Sequence, residues 1–170
     1  MPMFREIAIT EDMVERAHRL ATDFGQIRNS IRDGSGNLAG FLGEECFLAA
    51  YPKAVRVSGH HHDILLGGKR IEIKTKDRTV RPQPEFEVSI ASYNTAQNPD
   101  YYVFVSLLRH ANVFFKGFLC GFITPVEYFK SATFLREGQV DPSNNFTVRA
   151  NCYNLPISGL KPFTMQQAAN

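Results

Sequence analysis

Apolar residues recur along this chain with two different periods, and each change of period marks an element. Met13, Val14, Ala17, Leu20, Ala21 and Phe24 stand at helical spacing behind Thr10, a capping residue, and behind Glu11 and Asp12, acids that suit a first helical turn. An amphipathic helix over residues 10–25 is predicted. A run of turn formers, Asn29 to Asn37, then reads as a loop. A second helix follows from about Leu38 to Tyr51, capped by Asn37 and stopped by Pro52. Its apolar positions are Leu38, Phe41, Leu42, Leu48 and Ala49, and Glu44 and Glu45 fall on or beside that face. An acid so close to a core needs a partner, because burying an unpaired charge is costly.

After Pro52 the period becomes two. Val55 and Val57 alternate in a short strand, and from Asp63 to Lys76 two alternating runs flank Gly67-Gly68, the strongest hairpin signal in the chain because both glycines can take positive φ. A two-residue turn there sets Leu66 opposite Lys69, Leu65 opposite Arg70, Ile64 opposite Ile71 and Asp63 opposite Glu72. Arg70, Glu72, Lys74 and Lys76 then share one face, and Ile64, Ile71 and Ile73 the other. Residues 77–83 read as a charged loop, Phe86, Val88 and Ile90 as a strand, and residues 91–99 as room for a short helix. The longest apolar runs, Tyr101 to Leu108 and Val113 to Ile123, are predicted to be the central antiparallel strands. Thr124-Pro125 opens a short helix through Lys130. Phe134 to Asn145 reads as a loop, Phe146 to Val148 as a strand, Tyr153 to Phe163 as an extended tail, and Gln166 to Asn170 as a frayed end.

Opposed carboxylates with Cβ atoms roughly 5 Å apart repel unless something positive lies between them. A hard divalent cation with oxygen ligands would resolve the repulsion at Asp63 and Glu72, with Lys74 beside it. The alternative is a solvent-facing hairpin whose acids pair with neighbouring Lys and Arg. His60, His61 and His62 do not make a transition-metal site: alternation sends His61 to the acidic face and the other two away from it.

Composition changes this picture little, and charge more. The 170 residues, 44% hydrophobic and 21% charged, fit one globular domain. The net charge of +2 predicts no partner by itself. Residues 53–81, however, carry eight Lys and Arg against three acids (+5), so the remainder is −3. Cys46, Cys120 and Cys152 are far apart and odd in number, which points away from a disulfide framework or structural zinc and toward a reducing cytoplasm. No run reaches the ~20 apolar residues of a membrane span, and Met1 to Ile9 is no signal peptide.

One arrangement gathers these features: a helix with Gly40-Phe-Leu-Gly43-Glu44, a short strand, Asp63, eight residues, then Glu72-Ile73-Lys74, and the strand Asp100-Tyr-Tyr-Val-Phe-Val. It resembles the PD-(D/E)XK nuclease superfamily, the restriction-endonuclease-like fold, over residues 37 to about 108. The resemblance implies an α/β core of αβββαβ order, a mixed sheet flanked by helices, within a single domain. That domain has an N-terminal helix (10–25), a core (37–130) and a C-terminal extension (131–170). It further implies that Asp63, Glu72, the main-chain carbonyl of Ile73 and Glu44 hold one or two Mg²⁺, with Mn²⁺ as a substitute, and that Lys74 serves the attacking water. His62 stands where the family has proline, which leaves the chemistry intact. Glu44 rests on the Gly-Glu spacing, whereas the helical wheel puts Glu45 nearer the core centre. Gln97 and Tyr101 imitate the Gln-x-x-x-Tyr of exonuclease-like branches, but Pro99 between them spoils the helix expected there, so the match is coincidental.

The expected activity is Mg²⁺-dependent hydrolysis of DNA phosphodiesters, in which the cation both neutralises developing charge and supplies hydroxide near neutral pH. Lys69, Arg70, Lys76, Arg78 and Arg81 then read as phosphate contacts. Two rival expectations stand beside this one: a non-catalytic nucleic-acid-binding module that uses the basic segment alone, and an RNA-directed nuclease of the same fold. The small size, without a target-recognition domain, points to a nonspecific or structure-selective enzyme, or to a homo-oligomer that builds the DNA cleft between copies.

Overall fold

A computed structural model describes residues 4–25, 35–57, 63–94 and 97–163. The elements are β1 (Arg5–Ala8), α1 (Glu11–Gly25), α2 (Ser35–Ala50), β2 (Val55–Arg56), β3 (Ile64–Leu66), β4 (Lys69–Arg78), β5 (Glu87–Ala91), β6 (Tyr101–His110), β7 (Val113–Ile123), α3 (Pro125–Ser131), β8 (Thr133–Leu135) and β9 (Cys152–Pro156). Six strands form a sheet in the order β1-β7-β6-β4-β3-β2, and β5-β9-β8 form a second, three-stranded sheet. Among the described residues β4 and β6 are the parallel pair, and every other pairing is antiparallel. The fold is therefore mixed α/β, as expected.

The turn at Gly67-Gly68 sets the register of the hairpin. Both glycines have positive φ, 56° and 77°, and the strands pair Leu66 with Lys69, Leu65 with Arg70 and Ile64 with Ile71. Ile64, Ile71 and Ile73 accordingly point into a core shared with Met13 and Ala17 of α1, and with Leu42, Cys46, Phe47 and Ala50 of α2. Full burial of each large apolar side chain there contributes roughly 1.5–3 kcal/mol. Contact between α2 and β4 is close at one point. A Cβ on Gly43 would lie 2.0 Å from Thr75 Oγ1, so only glycine lets the helix approach the strand at that turn.

The opposite face of the large sheet is covered by the small sheet and α3, not by a long helix. Tyr102, Phe104, Leu108, Phe118 and Cys120 meet Val88, Ile90, Tyr128 and Leu155 there in a second core. Thr124 caps α3 through its hydroxyl as expected, and the Tyr128 hydroxyl donates to the Tyr153 carbonyl (2.6 Å), which ties α3 to β9.

Several boundaries differ from expectation. Helix α2 begins at Ser35, so Asn37 lies inside it rather than capping it. Strand β4 continues to Arg78, because Thr75 to Arg78 pair with Val105 to Leu108 of β6. Residues 5–8 form β1, which adds to β7; Arg5 donates to the Ala50 carbonyl (3.2 Å) and lies over the Tyr51 ring, so a charged strand has a specific anchor at the end of α2. Thr133–Leu135, read as the edge of a loop, is β8. Phe146 to Val148 contributes an isolated bridge, Val140 with Thr147, and no longer strand. The short helix expected within residues 91–99 is a 3₁₀ turn, Ser92–Asn94. The C-terminal extension is no appendage, since β9 is the central strand of the small sheet. The histidines 60–62, residues 29–34 of the expected loop and the tail 166–170 lie outside the described residues.

Candidate active site

Strand β4 is ten residues long and β3 only three, so β3 covers the first three residues of β4 while the part around Ile73 is left open. The ladder stops at Ile64–Ile71, one pair short of Asp63–Glu72. Asp63 donates its own N–H to the Ile71 carbonyl (2.9 Å) and accepts the Ile73 N–H on its carboxylate (3.0 Å). A side chain thus takes the place of the missing strand, and it sets the Asp63 carboxyl against the edge of β4. The N–H and C=O of a strand residue face the same edge, so the Ile73 carbonyl lies on this side too.

Three acids meet at that edge. Glu72 projects from β4 and is only 5% exposed, which is incompatible with a solvent-facing hairpin. Glu44 comes from α2, 7% exposed, and Asp63 from the chain entering β3. The Asp63 and Glu72 carboxyls act on each other electrostatically. Burial first, then the charge of Asp63, pushes Glu44 up to about 8 and Glu72 up to about 7, and burial raises Asp63. These groups hold protons at pH values where ordinary carboxyls have lost them.

Two cations and an amide partly offset the acids. Lys74 Nζ donates to Glu72 Oε1 (3.3 Å) and to Gln97 Oε1 (2.8 Å), while Gln97 Nε2 donates to the same Glu72 oxygen (2.9 Å). Gln97 therefore bridges the acid and the lysine, the one group at this centre that the sequence argument set aside. Arg56 Nε donates to Glu44 Oε1 (3.2 Å). Glu45 faces away, toward α1, where Arg16 Nε reaches its Oε1 at 2.7 Å. Of the two adjacent glutamates on α2, Glu44 is the one beside Asp63 and Glu72.

The basic residues read as phosphate contacts are differently placed. Arg70 forks onto Asp100 (3.1 Å to each oxygen) and holds that carboxyl down at about 2. Lys76 and Arg78 both donate to the Glu87 carbonyl, Arg78 also to Ser106 Oγ, and Arg78 lies over the Phe86 ring. Arg81 pairs with Glu6 and lies over Phe118. Four of the five are thus engaged within the protein, although Lys76 and Arg81 are exposed, and Lys69 is exposed at the hairpin turn.

The donors fit a hard divalent cation chemically: carboxylate and carbonyl oxygens crowded where their charge is poorly compensated. Among the described residues, no three His, Cys, Asp or Glu side chains converge tightly enough to form a ready-made cation cage. Arg56, Lys74 and the Ile73 N–H hold the acids instead. No family model matches the chain, and comparison with curated proteins and with solved structures finds no match in either. Among the described residues no helix is long and apolar enough to cross a membrane.

Proposed function

We propose that the chain is a Mg²⁺-dependent nuclease that hydrolyses DNA phosphodiester bonds. The observation that carries the reading is the meeting of Glu44, Asp63 and Glu72, from three separate stretches of the chain, at one buried edge with Lys74 beside them. A structural role gains nothing from concentrating like charges, since buried charges are costly unless paired. Glu44, Asp63, Glu72 and the Ile73 carbonyl would hold the cation, which when bound supplies Lewis acidity and lowers the pKa of water. Lys74, fixed by Gln97 and Glu72, is placed to orient the attacking water or to stabilise charge developing on the phosphate. Gln97 keeps that ammonium at a set position.

The non-catalytic binding reading is the weaker one, because Arg70, Lys76, Arg78 and Arg81 are already engaged internally. The deciding experiment is a digest of linear, circular, single-stranded and branched DNA, with RNA in parallel, in Mg²⁺, Mn²⁺ and a chelator. Metal-dependent cleavage of DNA is expected. Intact DNA under every condition would overturn the proposal, and preferential loss of RNA would redirect it to an RNA-directed enzyme.

A further inference from the structure

Among the described residues, Arg56 is the one cation at the acid cluster that neither the hairpin nor the resemblance singled out. It occupies the end of β2, a two-residue strand at the margin of the large sheet, and faces Ile64 in the β2–β3 ladder. Its neighbour Val57 donates to the Asp63 carbonyl (2.9 Å), so the backbone places Arg56 beside the acid as well as beside Glu44. The contacts of its guanidinium are long: 3.2 Å from Nε to Glu44 Oε1 and 3.4 Å from Nη2 to the Phe41 carbonyl. The side chain is 25% exposed, against 10% for its glutamate partner. Lys74 is held by two side chains, at 2.8 Å by Gln97 and at 3.3 Å by Glu72, and is 15% exposed.

One cation at this centre is thus held by two side chains, the other by one side chain and a main-chain carbonyl. With their protons displaced, the three carboxylates against Arg56 and Lys74 would leave one net negative charge. A divalent ion would turn that into one net positive charge, and a single phosphodiester anion would cancel it. Electrostatic balance is thus reached with metal and substrate together, provided both cations stay. A guanidinium fork suits a phosphate better than it suits the single Glu44 oxygen it now holds.

Building on the metal-dependent nuclease reading, we infer that Arg56 is an exchangeable counter-ion. It pairs with Glu44 in the metal-free protein and passes to a non-bridging oxygen of the substrate phosphate when a divalent ion takes the Glu44 carboxylate. Arg56 would then oppose metal binding and favour DNA binding, two effects of opposite sign from one side chain.

The test uses the full chain with Arg56→Gln and Arg56→Lys, Mn²⁺ titrated by calorimetry without DNA, and cleavage kinetics in Mg²⁺ over a range of salt. Arg56→Gln should bind Mn²⁺ about tenfold more tightly, since a competing charge is gone. It should also raise KM for DNA and make the salt dependence of KM shallower by about one counterion. Arg56→Lys should return both properties toward the wild-type values. A merely structural arginine would give weaker or unchanged Mn²⁺ binding in Arg56→Gln, and a merely neighbouring charge would leave the salt dependence of KM unaltered; either result overturns the exchange. If the wild-type chain binds Mn²⁺ and cleaves DNA while Arg56→Gln fails these expectations, only the exchange falls. If the wild-type chain binds no Mn²⁺, the nuclease reading falls with it.

Discussion

Two regions of this protein crowd carboxyl groups, and they handle the charge in opposite ways. On the small sheet, Glu87 of β5 and Asp141 of the loop after β8 meet around Asn154 of β9, whose Nδ2 reaches Glu87 Oε2 and Asp141 Oδ2 at 3.2 Å each. Ser143 donates to Asp141 through both its N–H (2.9 Å) and its hydroxyl (2.8 Å), and Ser89 holds the Asn154 amide oxygen at 2.6 Å. One proton settles that pair: the hydrogen bond to Glu87 takes Asp141 down to about 2, while burial moves Glu87 up to about 7. Neutral donors saturate the cluster, so it reads as a staple between the C-terminal loop and the sheet. At the edge of β4, by contrast, Glu44, Asp63 and Glu72 are all raised, and two of their four partners, Arg56 and Lys74, are charged. Buried acids alone therefore do not mark a site. Acids that neutral hydrogen bonds leave unsettled are the ones proposed to hold a cation.

The comparison can be broken in several ways. The largest expected effect is on chemistry: Asp63→Asn and Lys74→Ala should each lower DNA cleavage by about 10²- to 10³-fold or more, whereas Glu87→Gln should leave it unchanged. Equal losses in both regions, read from initial rates of folded variants, would erase the distinction. Next in size is stability. Asn154→Leu strands two carboxyls at once and should cost about 1–3 kcal/mol in denaturant unfolding, with cleavage by the folded fraction retained.

A pH series separates the regions above about pH 7, where Glu87 has largely lost its proton and Glu44 has not. Glu44 and Glu72 sit at about 8 and about 7 in the folded state against an ordinary 4.5, so the folded metal-free protein holds protons that the unfolded chain has released. Stability should therefore fall as pH rises from about 4.5 to 8, on the order of 1.4 kcal/mol per pH unit for each such carboxyl. Glu44→Gln and Glu72→Gln should flatten the upper part of that slope, which unfolding curves between pH 5 and 9 would reveal. The smallest effect concerns the basic segment. Lys69→Ala should weaken DNA binding more than Lys76→Ala, because Lys76 is held by the Glu87 carbonyl; filter binding over a range of salt would rank them.

Local signals made the hairpin legible from sequence. Gly67 and Gly68 admit few turns, and a turn fixes its register, so Ile64, Leu65 and Leu66 found their partners without any long-range information. Helix α1 was equally clear because it is amphipathic and Thr10 caps it, with the Met13 N–H donating to the Thr10 hydroxyl (3.3 Å). Helix α2 was harder. Residues 42–47 are all buried, so no single apolar stripe orients the helix, and only the position of Arg16 on α1 separates Glu45 from Glu44. Gln97 was hidden for a different reason: Pro99 does exclude a helix, yet an irregular segment delivers the same amide to Glu72 and Lys74. Strands β1 and β8 carry no pattern of their own, being four and three residues long and specified by β7 and β9. The positive charge of residues 53–81 was countable, but its engagement was not. Asp100, Glu87 and Glu6 lie outside the hairpin, and nothing in the spacing says that they take up its arginines and lysines.

The central claim is that the acids at the edge of β4 form a cation site, and thermal unfolding at pH 8 with and without Mg²⁺ tests it most directly. A ligand that binds only the folded state stabilises it by about 2.7 kcal/mol at a hundred times its Kd. The wild-type Tm should rise with Mg²⁺, and the rise should vanish in an Asp63→Asn, Glu72→Gln double variant. A wild-type Tm indifferent to Mg²⁺, or an equal rise in the double variant, would contradict the account.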